Sequence, residues 1–178
     1  MNLQPAVLAA AILTAGMTMA PAAQAVTQNR FQESPAGSSC QLSVPTTASV
    51  VRPRATGFRN EGTTGQFVIC QMDSSTGALN AALMLAQSLD GTVKNITCTA
   101  ADGYNFSNGG GPVTIQYSTQ TAATNSTGGF YAQFLWDASN FGGTAGADFT
   151  GIFSVTCLLP PQSELKFSEI GYNEDVGA

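Results

Sequence analysis

The segment "GIFSVTCLLPPQSELKFSEIGYNED", residues 151–175, contains the features that decide the fold class. Its first half alternates, with Phe153 and Cys157 on the same side of an extended chain, which is the period of a β-strand. Pro160 and Pro161 then end the pairing, because proline has no backbone N–H to donate to a sheet. Beyond the prolines the chain returns as a second strand, so this end of the protein is predicted to be β structure.

The returning strand, "ELKFSEIGY", does not keep one alternation throughout. Leu165 and Phe167 share one parity, whereas Ile170 and Tyr172 share the other. One extra residue near Ser168 would reconcile the two halves, which is what a β-bulge does. On this interpretation Phe167 is a core residue, and the acidic residues at the end of the strand are solvated charges.

The same period recurs upstream. "PVTIQYST" places Val113, Ile115 and Tyr117 on one face, "GGFYAQFLWD" and "TVKNITCT" also alternate, and "GQFVICQM" is apolar on both faces near its middle. Glycine- and asparagine-rich turns such as "NGGGP" and "NFGGTAG" separate these runs. About eight or nine short strands with such turns predict an all-β fold, an antiparallel β-sandwich, for which a jelly roll is one topology.

One stretch allows two interpretations. "GALNAALMLAQSLDG" is rich in helix formers, and Leu79, Leu83 and Ala86 fall at helical spacing. Asp90-Gly91, however, is a two-residue hairpin signal, and a strand-like run follows it at once. We therefore predict a strand over residues 80–88, with a helix as the alternative.

Four cysteines lie in the part of the chain that we expect to be exported: Cys40, Cys70, Cys98 and Cys157. An even count favours two disulfides. The chain has no histidine and no C-x-x-C pair, which argues against zinc. Of the three possible pairings we favour Cys40–Cys70 with Cys98–Cys157.

The order of the motifs "SSCQL", "FVICQM", "ITCTA" and "FSVTCLLPPQSELKFSEIGYNED" resembles a group of secreted bacterial β-rich proteins, mostly uncharacterised, with four cysteines on strands. In that group the last cysteine is followed by a Leu-Pro motif and a final strand that ends in Glu. The resemblance implies export and a sandwich-like fold. It carries over no functional residues.

The chain divides into three parts. Residues 1–25 hold an apolar run that ends in Ala23-Gln24-Ala25, the form of a signal peptide cleaved before Val26. Residues 26–39 contain Pro, Gly and Ser and predict a flexible leader. Residues 40–178 predict a single β-sandwich domain. We expect a secreted or periplasmic protein with no membrane span after signal cleavage.

Composition excludes several functions. The net charge of −5 argues against nucleic acid, and the basic cluster Arg52, Arg54 and Arg59 is best explained as solvated charge. Without histidine, Ser-His-Asp and Cys-His catalysis are impossible. A glycoside hydrolase that uses a carboxylate pair is the unfavoured alternative, with these candidates: Asp137, Asp148, Glu164, Glu169, Glu174 and Asp175. We expect no enzyme activity, no metal and no cofactor.

Aromatic residues in loops suggest what the protein binds. Tyr104, Phe106, Tyr131 and Phe141 are candidate rings for stacking on sugars. We therefore expect a non-catalytic module that binds a glycan or a surface protein through its loops. The alternative is a subunit of an extracellular fibre or surface layer, in which the leader would add as a strand to a neighbouring subunit.

Overall fold

The computed structural model describes residues 26–43, 50–72, 79–103, 115–124, 131–149 and 153–177. The regular elements in these residues are the short helix α1 (Ala36–Ser39), a 3-10 turn (Ala138–Phe141) and eleven strands. The strands are β1 (Thr27–Pro35), β2 (Cys40–Leu42), β3 (Val51–Arg54), β4 (Gly57–Asn60), β5 (Gln66–Met72), β6 (Leu79–Ser88), β7 (Asn95–Asp102), β8 (Gln116–Ala123), β9 (Ala132–Trp136), β10 (Phe153–Leu159) and β11 (Ser163–Asp175). No helix within the described ranges is long and apolar enough to cross a bilayer.

The strands form two antiparallel sheets. The six-stranded sheet has the order β3-β4-β11-β6-β9, with β1 also paired to β11, and the five-stranded sheet has the order β2-β5-β10-β7-β8. Strands β4 to β11 thus make two sets of four, β4-β11-β6-β9 and β5-β10-β7-β8, which is a jelly roll. The predicted antiparallel β-sandwich is confirmed.

The core lies between the sheets and is rich in aromatic rings. Trp136, Phe134 and Phe153 are each less than 2% exposed. The Phe153 ring centroid lies 6.1 Å from that of Trp136 and 5.3 Å from that of Phe149. Alternation along β9 and β10 places these residues inward, as the period of two predicts.

Both predicted disulfides are confirmed. Cys40 in β2 bonds Cys70 in β5, and Cys98 in β7 bonds Cys157 in β10, each pair at directly opposite positions of neighbouring strands. All four cysteines lie in the described residues and none is free. The second bridge joins two strands in the interior of the five-stranded sheet, where both of its cysteines are fully buried.

The stretch with two interpretations is a strand. In β6, alternate residues such as Ala82, Met84 and Ala86 are buried, so packing against the core overrides the helix propensity of the sequence. The hairpin that led to this prediction is wrong, however. β6 belongs to the six-stranded sheet and β7 to the five-stranded one, so the turn at Asp90-Gly91 crosses between sheets.

The contribution of Asp90, in the turn between β6 and β7, to stability should depend on pH. A hydrogen bond from Lys94, at 2.9 Å, and bonds from the hydroxyl and backbone amide of Thr92 hold the pKa of Asp90 well below its usual range. A carboxylate with a lowered pKa stabilises the folded state above its ordinary pKa, and that contribution is lost as the pH falls. We expect the wild-type protein to have a higher melting temperature than the Asp90→Asn variant at pH 7. The difference between the two melting temperatures should become smaller as the pH falls towards 2. A gap that is independent of pH in thermal melts would contradict this.

The N-terminal segment differs from the expected flexible leader. All nine residues of β1 pair antiparallel with β11, from Thr27 opposite Asp175 to Pro35 opposite Phe167. Arg30 adds an ion pair to Glu174 at 2.9 Å. This corrects the expectation for residues 26–39, because the segment forms part of the six-stranded sheet and occupies the edge of its own β11.

The irregularity in β11 is present but displaced. The register against β6 shifts between Leu165 and Phe167, so the extra residue is Lys166 and not one near Ser168. A second shift lies between Gly171 and Tyr172. Leu165 is therefore buried in the core while Phe167, beyond the bulge, is half-buried on the outer face. The predicted shared face of Leu165 and Phe167 is wrong.

Candidate functional site

The outer face of the five-stranded sheet carries uncharged side chains on all five of its strands. Alternation in β2, β5, β7, β8 and β10 points every second side chain to solvent. We call the resulting surface the threonine face, and its side chains are Gln41, Phe67, Ile69, Gln71, Asn95, Thr97, Thr99, Ala101, Tyr117, Thr119, Thr121, Ala123, Ser154, Thr156 and Leu158. None of these is charged.

The side chains of the threonine face form rows across the strands, and hydroxyls are concentrated on β7, β8 and β10. One row crosses all five strands, with Gln41, Ile69, Thr156, Thr99 and Thr119 at directly opposite positions. At the usual strand spacing this row is about 19 Å long. The Thr99 and Thr119 hydroxyl oxygens lie 2.8 Å apart, so the two hydroxyls share a hydrogen bond. Such bonds hold the threonine rotamers in a regular array.

Three large apolar side chains frame these rows. Phe67 and Leu158 are opposite each other and are 53% and 40% exposed. Tyr117 in β8 is 67% exposed and lies opposite Ala101. The threonine face therefore combines exposed apolar side chains with hydroxyls, and none of its fifteen side chains carries a charge.

A groove lies at the β2–β5 edge of this face. A cavity of about 530 Å³ is lined by Ser38, Ser39, Cys40, Gln41, Ile69, Gln71, Phe153 and Ser154. A second cavity of about 330 Å³ shares three of those residues and extends to β1, with this lining: Gln32, Ser34, Ser38, Ser39 and Gln71. The described residues that line these two cavities include no charged one.

Helix α1 fixes the wall of the groove. The Ser38 and Ser39 hydroxyls donate to the Pro35 carbonyl oxygen, at 2.8 and 3.3 Å, so their oxygen lone pairs stay available to accept. A Cβ at Gly37 would lie 2.5 Å from the Arg54 carbonyl oxygen, so only glycine allows α1 to pack this closely on β3.

The aromatic residues predicted as ligand rings do not converge on this face. Tyr104 and Phe106 lie outside the described residues. Tyr131 is 42% exposed but immediately precedes β9 of the other sheet. Phe141 is buried, with its ring centroid 5.8 Å from that of Phe149, so it cannot stack on a ligand. Tyr117, which the alternation of "PVTIQYST" grouped with apolar residues, and Phe67 are exposed rings of the threonine face that the sequence analysis did not identify as ligand rings.

The carboxylates considered for hydrolysis do not line the groove. Asp137 caps the 3-10 turn by accepting from the Ser139 amide at 2.8 Å. Glu164 is fully buried and accepts from Arg59 and Gln87, both at 2.5 Å. Within the described residues no group of three or more Asp, Glu, Cys or His could hold a metal ion.

Each arginine of the basic cluster lies beside a carboxylate. Arg54 donates two bonds to Glu61, at 3.2 and 2.5 Å, and Arg52 lies 3.5 Å from the same carboxylate. The Arg54 guanidinium holds the pKa of Glu61 below its usual range. This cluster is on the six-stranded sheet and takes no part in the threonine face.

Comparisons with known proteins give two structural likenesses. No family model matches the chain, and no curated protein matches it. A GH26-CBM35 β-(1,4)-mannanase of Podospora anserina superposes with a TM-score of 0.36 at 11% identity, over 79% of this chain and 27% of the mannanase. A CBM61 module in complex with β-1,4-galactotriose superposes with a TM-score of 0.31 at 9% identity, over 82% of this chain and 88% of the module. Neither likeness places a ligand on this chain.

Proposed function

We propose that this protein is an exported, non-catalytic module that binds a neutral polysaccharide on its threonine face. The observation that carries the proposal is the absence of charge from fifteen outward side chains. An exposed sheet face ordinarily carries charges for solubility. A charged ligand would require opposite charges on this face, so an uncharged face fits a neutral ligand.

Hydroxyl and amide side chains match the chemistry of sugars. A sugar hydroxyl both donates and accepts hydrogen bonds, as do the threonine hydroxyls and the amides of Gln41 and Gln71. At the groove, the Ser38 and Ser39 oxygens accept, because their protons are already donated to Pro35. The face therefore offers donors and acceptors without requiring the ligand to be ionised.

The exposed rings supply the apolar part of the site. Pyranose rings present C–H groups on one face, and Tyr117 and Phe67 are exposed enough to pack on them. Because the row from Gln41 to Thr119 spans about 19 Å, the surface suits several sugar units of a chain better than a single sugar. The groove at α1 would hold one end of that segment.

The site's composition supports binding without hydrolysis. A glycosidase of the usual kind needs two carboxyl groups beside the scissile bond. The described lining of the groove has no carboxylate. Export is supported by the two disulfides, which persist in oxidising compartments.

An array of neutral glycans, followed by calorimetric titration with soluble oligosaccharides, tests the proposal. Tyr117→Ala should weaken binding about tenfold, because one stacked ring is lost. Tyr131→Ala is the matched control, since Tyr131 is also exposed but lies off the face, and its affinity should equal that of wild type.

Two results would contradict the assignment. One is an array on which no neutral glycan binds while acidic glycans do. The other is equal loss of affinity in Tyr117→Ala and Tyr131→Ala, which would move the site away from the threonine face.

A further inference from the structure

The outer face of the six-stranded sheet carries a contiguous apolar patch across four strands. We call it the leucine face, and its side chains are Phe31, Ala81, Leu83, Leu85, Leu135 and Phe167. Phe31 and Leu135 are 65% and 52% exposed. Contiguous patches of this kind mark interaction surfaces, unlike single exposed apolar residues.

Local structure holds the patch together. Phe31 in β1 lies opposite Gly171 in β11, and a Cβ at Gly171 would lie 3.4 Å from the Phe31 ring and 3.3 Å from the Ala81 methyl. Glycine at this position therefore lets the ring lie close to the sheet beside β6. The next rows place Leu83 opposite Leu135 and Phe167 opposite Leu85.

Two carboxylates stand side by side within this face. Glu33 of β1 is directly opposite Glu169 of β11, and Glu169 is opposite Leu83. In the part of the chain that the structure describes, neither carboxylate has a salt bridge or a side-chain hydrogen bond. Like charges at directly opposite positions destabilise a sheet. A basic side chain of another molecule would relieve the repulsion between these two carboxylates.

Complementary charge lies on the same sheet, beyond the bulge. Four of the six basic residues, Arg52, Arg54, Arg59 and Lys166, share two carboxylates, Glu61 and Glu164, which leaves a net charge of +2 there. The Arg52 side chain is 51% exposed and makes a single long contact with Glu61. Its guanidinium can therefore pair with a further carboxylate.

The order of these rows makes the surface self-complementary. Along β11 the row of Arg52, Arg59 and Glu164 comes first, then the row of Phe167 and Leu85, then that of Glu33 and Glu169. Arg52 in β3 lies two strands from β11, whereas Glu33 in β1 lies one strand from β11 on the same side. A two-fold axis through the middle row, inclined from the perpendicular of the strands to take up this one-strand offset, sets Arg52 and Arg59 of one copy against Glu33 and Glu169 of the other. An isologous contact requires this kind of self-matching.

We propose that the protein forms a two-fold symmetric dimer through the leucine face, with Arg52 of each copy facing Glu33 of the other. Phe167, Leu85 and Leu83 lie at the centre of the contact. The threonine faces then point outward on opposite sides of the dimer. Two outward binding faces would raise the avidity for a polysaccharide that reaches both.

Sedimentation equilibrium of the secreted protein tests the dimer. Wild type should sediment as a dimer whose dissociation constant rises with salt. Arg52→Glu and Glu33→Arg should each raise that constant about tenfold or more, because each brings like charges together. The double variant should return to within about threefold of wild type. Val93→Glu, an exposed residue in the turn between β6 and β7, is the control and should have no effect.

The charge swap separates this interface from any other. A protein that stays monomeric at all concentrations up to about 1 mM would overturn the proposal. A dimer that neither single variant weakens, or that the double variant does not restore, would overturn it as well. Glycan binding by monomeric Arg52→Glu should be retained for short oligosaccharides, so this test is independent of the proposed function.

Discussion

Replacing Cys98 and Cys157 together by alanine is expected to lower the free energy of unfolding by about 4 kcal/mol or more. The bridge spans 59 residues, so its loss frees a long loop in the unfolded chain. Both sulfurs are buried between β7 and β10, and their removal also leaves a cavity. Urea unfolding of the two proteins at equal concentration measures the difference.

The other bridge provides the matched control. Cys40–Cys70 spans 30 residues and joins β5 to the edge strand β2, where Cys40 is 9% exposed. The chain-entropy difference between the two loops is about 0.6 kcal/mol. The Cys40→Ala and Cys70→Ala pair should therefore be the less damaging one. If it proves the more damaging, the interior of the five-stranded sheet is not where the stability is concentrated.

The fold class was predictable because short-range patterns determine it. The alternation around Phe153 and Cys157 and the prolines after Leu159 can be read from neighbouring residues alone. The even number of cysteines can be counted in the sequence without knowing the fold. The strand at β6 was predicted from a hairpin that does not exist, since Asp90-Gly91 turns equally well between two sheets. The composition of a turn specifies its backbone conformation and not the partner of the strand that comes after it.

The candidate site was not predictable because it depends on pairing between distant strands. Thr156, Thr99 and Thr119 form one row although they come from three separate segments. β8 is polar on both faces, so its alternation could not show that Tyr117 points outward. The groove likewise depends on α1 and β1, in a segment whose composition predicted a flexible leader.

The bulge in β11 had the same kind of consequence for the core. The change of alternation along the strand requires one extra residue between Leu165 and Ile170, but an insertion at any of several positions would produce the same change. The structure inserts Lys166, which turns Phe167 out of the core. The stabilising aromatic residue of this end of the chain is therefore Phe153, one strand earlier.

Phe153→Ala is accordingly expected to cost about 4 kcal/mol in free energy of unfolding. The Phe153 side chain is 1% exposed and its ring contacts those of Trp136, Phe141 and Phe149, with centroids 6.1, 5.9 and 5.3 Å away. Because Trp136, Phe141 and Phe149 are held by contacts with one another and with the core, none can fill the space without leaving its own position, so the cavity should persist. Loss of the ring also removes several aromatic contacts at once.

Phe167→Ala is the comparison that tests the position of the bulge. Its ring is half-buried on the leucine face, so truncation should cost about 1 kcal/mol. Both variants should be measured by urea unfolding in the Arg52→Glu background, so that dissociation of a dimer does not add to the result. With the extra residue at Ser168, Phe167 would be a core residue and its loss would cost about as much as that of Phe153. Equal losses would therefore contradict the register observed between β11 and β6.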